Sequence, residues 1–144
     1  MMLFYTLLAD LIVIVHLFYV LFAVGGEAAI LAGAPFRWTF IRQPLFRIAH
    51  LAAVGLVAAE AALGVACPLT EWEYNLRQLA GQTVEYNISF MARLARLIVF
   101  HDLPPRFFTV LHVGFGVLVV LTVVLIPPHF GKKKQARQAG RSRP

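Results

Sequence analysis

Between Leu11 and Val24 an otherwise apolar run is interrupted only by His16, and its apolar character extends on both sides to cover residues 3–31. A bilayer's hydrocarbon core is about 30 Å thick and needs about 20 apolar residues in a helix, which satisfies its own backbone hydrogen bonds where water is absent. Two further stretches meet that length, residues 45–66 and residues 107–126, the latter set between Pro104-Pro105 and Pro127-Pro128. With 60% hydrophobic and 14% charged residues and a mean hydropathy of +0.75 over 144 residues, the chain reads as an all-α membrane protein. There is room for one bundle and no second domain. The small residues Ala32-Gly33-Ala34 resemble a signal-peptide cleavage site, but the N-terminus carries Asp10 and no basic residue, so the first stretch reads as a retained span.

The connections are read from charge and proline. Residues 35–47 hold Arg37, Arg42, Arg47 and two prolines and form a loop or interfacial turn. Beyond the second span, Thr70-Glu71-Trp72-Glu73 has the spacing of a capping box and predicts a short helix over 71–79, closed by Gly81. Residues 88–100 place Met91, Leu94, Ala95 and Ile98 on one face and Ser89, Arg93 and Arg96 on another. That segment is too short and too charged to cross a bilayer, which predicts a second helix in the interface plane. The expected fold is three transmembrane helices plus one or two interfacial amphipathic helices on the outer face; a four-span arrangement with 88–100 crossing is the alternative. A single helical membrane domain then covers 1–131, with 67–105 on the outer face, followed by a basic disordered tail over 132–144.

Basic residues collect on the cytoplasmic side of bacterial inner membranes. Three spans put Arg37, Arg42 and Arg47 on the same side as Lys132, Lys133, Lys134, Arg137, Arg141 and Arg143, so the N-terminus is expected outside and the C-terminus in the cytoplasm. Those six tail residues equal the whole formal charge of +6. They read as an anchor near anionic lipid, each worth about 1 kcal/mol. Without interleaved aromatics or a fold of their own they do not read as a nucleic-acid site. The expected partners are the lipid bilayer and other membrane proteins.

Ionisable side chains inside spans cost about 2.5–3.5 kcal/mol each on insertion scales unless paired or wetted. Counted inward at about 1.5 Å per residue, Asp10, Glu60 and His112 fall at a common depth of about 10 Å below the outer boundary, and His16 lies about 9 Å deeper than Asp10. His16 and Glu27 are almost three turns apart and share a helix face, while Glu27 and His50 sit toward the cytoplasmic end. One polar stripe is expected to line the bundle. Its plain role is interhelical hydrogen bonding among small residues such as Ala53, Gly55 and Gly116. Its functional roles are proton or cation movement, a cofactor site, or the floor of a small-ligand pocket.

A facing pair, His16 and His50, could ligate haem b, but no Cys-x-x-Cys-His is present and no cofactor is expected on balance. The histidines lack ligand spacing one turn apart, so no metal site is expected either. Cys67 is the only cysteine, and its charged neighbours Glu71 and Glu73 are acidic, which disfavours a reactive thiolate.

The stretch LLADLIVIVHLFYVLF, a second helix carrying His50 and Glu60 and leading into CPLTEWE, and the late FHDLPPRFFTVLHVGFG together resemble the small bacterial membrane proteins grouped as domain of unknown function 2784. The resemblance runs nearly to Pro128 and singles out His16, Glu60, Cys67, Thr70 and Glu73 as signature positions. It implies architecture and no chemistry. No catalytic residue is identified. The functional expectation is a non-catalytic accessory or small-ligand-binding membrane component acting through a polar cluster of Asp10, His16, Glu60, Cys67, Thr70, Glu73 and His112, with Glu27 and His50 as an inner cluster. The alternative is a haem-binding redox protein or a proton-coupled protein using the same stripe.

Overall fold

The computed structural model describes residues 1–83, 93–94, 96–97 and 104–128. Among these the chain is all helical: α1 (Met2–Gly33), α2 (Pro44–Leu63), α3 (Pro68–Leu79) and α4 (Pro105–Leu125), with a 3-10 turn at Phe40–Arg42. Among the described residues, helices α1, α2 and α4 are the three that are long and apolar enough to cross a membrane, matching the three expected spans to within a few residues. Of the helix expected over 88–100, Arg93, Leu94, Arg96 and Leu97 are helical, and the remainder lies outside the described residues, as does the basic tail.

Proline and glycine set the boundaries. Helices α2, α3 and α4 each begin with proline in the first turn, where the missing N–H would have had no partner and the fixed φ suits a helix. Gly64, at φ 69°, ends α2, and the Val65 N–H reaches back to the Glu60 carbonyl at 2.9 Å. This is a Schellman closure; it stops the helix three residues before the expected end at Ala66. It also corrects the start of α3. That helix begins at Pro68 with Cys67 at the N-cap, so Thr70 lies inside the first turn and caps nothing. The proline outcompetes the threonine because it needs no side-chain bond to start a helix.

At about 1.5 Å per residue, α1, with its 32 residues, is about 48 Å long, well beyond one bilayer core. Its surplus is used by α3, which runs antiparallel along the N-terminal half of α1: Arg77 meets Asp10 at 3.0 Å, and Gln82 Nε2 donates to Thr6 Oγ1 at 3.4 Å. Helix α2 packs chiefly on α4, while α1 and α2 touch more sparsely. Ala9, Ile30, Ile41, Val54 and Val119 form the apolar core. Most of each span faces outward with Leu, Val and Phe side chains exposed, a surface suited to lipid.

Glycines mark where helices approach. A Cβ at Gly26 would lie 2.7 Å from His50 Cδ2, and one at Gly116 would lie 2.7 Å from Ala58 Cβ. Their neighbour Gly25, one residue round the same helix, would meet nothing within 4 Å among the described residues. Gly26→Ala is therefore expected to destabilise the protein by about 1–3 kcal/mol through overpacking. Gly25→Ala should stay within about 0.5 kcal/mol of wild type. Thermal unfolding of the detergent-solubilised variants, side by side, checks the contrast.

Candidate functional site

The structure gathers polar groups at two separate ends of the bundle. At the α3 end, Glu73 is 1% exposed and is neutralised by two arginines. Arg77, one turn along α3, donates from Nε at 2.8 Å, and Arg93 donates from Nη1 at 2.9 Å with Nη2 on the second carboxylate oxygen. Arg77 also donates to Asp10 and, from Nη1 at 2.9 Å, to Gln82. One carboxylate thereby clasps α3, the segment carrying Arg93, and α1. Burial pushes the Glu73 carboxyl up, but the hydrogen bonds and charges of Arg93 and Arg77 outweigh it and hold it below its ordinary value. The Arg77 guanidinium loses some charge stabilisation by burial and regains more from Glu73 and Asp10, which raises it. His16 is buried within electrostatic reach of Glu73 and Arg93.

Beside this clasp, the start of α3 returns to the end of α2. The Cys67 thiol lies within electrostatic reach of Glu60. Burial is the main reason its pKa is raised; Glu60 adds to the effect, and the backbone N–H groups of Leu69 and Thr70 oppose it. Thr70 Oγ1 and Glu60 Oε2 are buried without hydrogen-bond partners among the described residues.

At the opposite end, where α1 turns into α2, Glu27, Arg47 and His50 are 2%, 2% and 1% exposed. His50 Nε2 lies 2.8 Å from the Ala23 carbonyl. A carbonyl only accepts, so this nitrogen carries the proton. Nδ1 then faces Glu27 Oε2 at 3.9 Å. Phe22 and Phe46 close over the ring, with centroids 5.7 and 6.0 Å away. Arg47 Nη2 donates to the carbonyls of Thr122 at 2.6 Å and Ile126 at 2.5 Å, placing a cation on the C-terminus of α4 where the helix dipole favours it.

Of the seven residues expected in one cluster, Asp10 and Glu73 share Arg77, His16 lies near them, and Glu60, Cys67 and Thr70 form the adjoining group. The expected meeting of Asp10, Glu60 and His112 does not appear in these contacts. Asp10 turns to Arg77, Glu60 lies within electrostatic reach of Cys67, and His112 Nδ1 donates at 2.6 Å to the Phe108 carbonyl of its own helix. Depth counting assumed helices of equal tilt, and α3 intervenes beside α1. His50 does not reach the level of His16: its ring binds the Ala23 carbonyl, seven residues and about 10 Å along α1 from His16. Among the described residues no cluster of three or more His, Cys, Asp or Glu side chains could hold a metal ion.

Sequence reasoning passed over the arginines. Arg47 was assigned to the loop, yet it follows Pro44 and precedes His50 by one turn, a spacing that places both on one helix face. Arg77 stands at i+4 from Glu73 and was equally legible. Arg93 carries no local signal. Tyr19, whose hydroxyl donates to the Ala53 carbonyl at 2.6 Å and ties α1 to α2, was read as part of an apolar run.

Fold and site together define an all-helical membrane protein with three candidate spans and two buried charge clusters. The chain belongs to the family described as Protein of Unknown function (DUF2784), whose profile matches residues 6–128. No curated protein and no solved structure matches it.

The clasp has a defined pH signature. A carboxyl lowered on folding adds stability that is complete above its unfolded value and is lost as pH falls through the folded one. Glu73→Ala should cost about 2–3 kcal/mol at neutral pH, somewhat below the 3–5 of fully buried pairs because both arginines are partly exposed. The gap to wild type in thermal stability should close below the ordinary carboxylate range. Cys67→Ala is expected to leave stability near wild type, and the native thiol should react slowly with maleimide at neutral pH, accelerating only on the alkaline side of an ordinary thiol. A time course of labelling across pH measures this directly.

Proposed function

We propose that this chain is a non-catalytic accessory component of the bacterial inner membrane that works by packing its spans against an apolar helix of another membrane protein. The observation that carries this reading is an open apolar hollow of about 380 Å³ on α4 around Gly114, lined by Phe107, Val110, Leu111, Phe115 and Leu118. A Cβ at Gly114 would meet nothing within 4 Å among the described residues, and the same holds for Gly25 and Gly55. Glycines used inside the fold are filled by His50, Trp38 and Ala58; these three are not. In lipid, helices associate through close approach at small residues, because burial against lipid tails gives no hydrophobic gain.

Orientation with the N-terminus outside and the C-terminus cytoplasmic is supported by Arg37 and Arg42 beside the α1–α2 connection together with the basic residues of the tail. The stacked, partly exposed rings of Phe36, Trp38 and Phe40 suit a membrane–water interface at that same end. The Glu73 clasp would then hold α3 on the outer side, where the neighbouring Glu60, Cys67 and Thr70 offer polar atoms to a small ligand. A haem-binding reading has less support, because both ring nitrogens of His50 face protein groups. A proton-coupled reading is favoured by one observation, the unmatched carboxylate of Glu27, and is developed below.

Filling the hollow tests the accessory reading. Gly114→Leu should leave thermal stability within about 0.5 kcal/mol of wild type while removing the higher-mass species that cross-linking traps in native membranes. Identical cross-linked species in both proteins, or none in wild type, would reject it.

A further inference from the structure

The inner cluster is incomplete in a way that the outer one is not. Neither Oε1 nor Oε2 of Glu27 finds a hydrogen-bond partner among the described residues, and the same is true of Nε and Nη1 of Arg47. Both side chains are 2% exposed. Arg47 feels the Glu27 charge but spends its observed hydrogen bonds on the α4 carbonyls. It therefore balances the carboxylate through space without donating to it. The remaining group facing Glu27 is His50 Nδ1, at a distance too long for a hydrogen bond and short for two like lone pairs left dry.

The chemistry of that pair is constrained from both sides. Because Nε2 must keep its hydrogen for the Ala23 carbonyl, a neutral His50 presents a bare lone pair at Nδ1 to a carboxylate oxygen. Two acceptors do not face each other stably in an apolar bundle. One added proton resolves the conflict, whether it resides on Nδ1 or on the carboxyl, since either arrangement yields a donor opposite an acceptor.

We propose that Glu27 and His50 form a proton-binding site inside the bundle, holding one exchangeable proton between Oε2 and Nδ1, with Arg47 as the fixed countercharge. Without the proton the three groups sum to zero charge; with it they sum to one positive charge. No other bond is made or broken. The groups around the site come from every element packed on it, Arg42 of the 3-10 turn being the further charged side chain at this end. From α1 the site receives Glu27 and the Ala23 carbonyl. From α2 come Arg47 and His50, and from α4 the carbonyls of Thr122 and Ile126, His112 being engaged with Phe108. The 3-10 turn contributes buried Ile41. Phe22 and Phe46 wall the ring of His50, and the stacked face of Phe46 tolerates a cation. Gly26 supplies the room, since a Cβ there would lie 2.9 Å from His50 Nε2.

The site is distinct from the helix-packing hollow, so the two ideas fail separately. The decisive experiment is infrared difference spectroscopy of the full chain reconstituted in lipid vesicles, with bulk pH stepped between about 4 and 9. The expected result is a buried carboxyl C=O band that changes with pH, shifts in heavy water, disappears in Glu27→Gln, and changes at a different pH in His50→Gln. A band unaffected by Glu27→Gln, or a Glu27 signal constant across the range in either form, overturns the proposal. Should Glu27→Gln fail to fold, nitrogen NMR of the unmutated protein with ring-labelled histidine decides instead. The assigned His50 Nδ1 must then report a change in protonation or hydrogen bonding over the same range, and a constant ring state overturns the assignment.

Discussion

A charge that leaves water for an apolar bundle must find a partner, and this chain's architecture follows from how it provides them. Desolvating an ion costs several kcal/mol even after relaxation, so a lone buried carboxylate or guanidinium would dominate the stability of so small a protein. Around Glu73 the answer is complete. Two guanidiniums from different segments saturate both carboxylate oxygens, and Arg77 passes the link on to Asp10 and Gln82. This fixes a polar helix, α3, against an apolar one, α1, that offers little else for it to hold. Arg47 plays the corresponding part at the other end, where it joins α2 to the last carbonyls of α4.

These ionic joints matter because apolar contacts do little of the joining. Lipid tails are as good a solvent for leucine as another helix, so the spans gain from packing only where backbones approach closely or polar groups meet. Close approach occurs at Gly26, Gly33 and Gly116, each filled by a side chain from elsewhere in the fold. Polar meeting occurs at Tyr19 with Ala53 and at His50 with Ala23, both joining α1 to α2 where helix contact is otherwise sparse. The α1–α2 pair is thus held by discrete hydrogen bonds rather than by an extended seam.

The spans were legible in the sequence because the bilayer demands a fixed apolar length and the prolines at 44, 68 and 105 mark helix starts. The start of α3 was not. The threonine and glutamate at 70 and 73 have the spacing of a cap, and only the structure shows Glu73 turned away to two arginines. Burial of Glu27, His16 and His50 followed from helical periodicity, which places residues on a face. Their partners did not follow, since periodicity is silent on which face meets which helix. Arg47 illustrates the loss: counted as a topology charge, it is among the most deeply buried side chains in the fold. An arginine within one turn of a histidine on an apolar helix, past its starting proline, is better read as a site residue than as a loop charge.

The contrast between the two ends carries an argument of its own. Both hold a carboxylate that is almost fully buried, Glu73 at 1% and Glu27 at 2% exposed. If burial of these groups served stability alone, each would be expected to end in the cheaper arrangement, with its oxygens saturated. Glu73 reaches it. Glu27 has a guanidinium close enough to feel its charge, yet that guanidinium donates to backbone carbonyls of α4, which an apolar residue and water could have left to the helix end. The structure therefore keeps a carboxylate electrostatically balanced but chemically unsatisfied, opposite a histidine whose tautomer is set by Ala23. Such an arrangement is costly as scaffolding and leaves the Glu27 oxygens open to a hydrogen-bond donor, whereas those of Glu73 are already occupied.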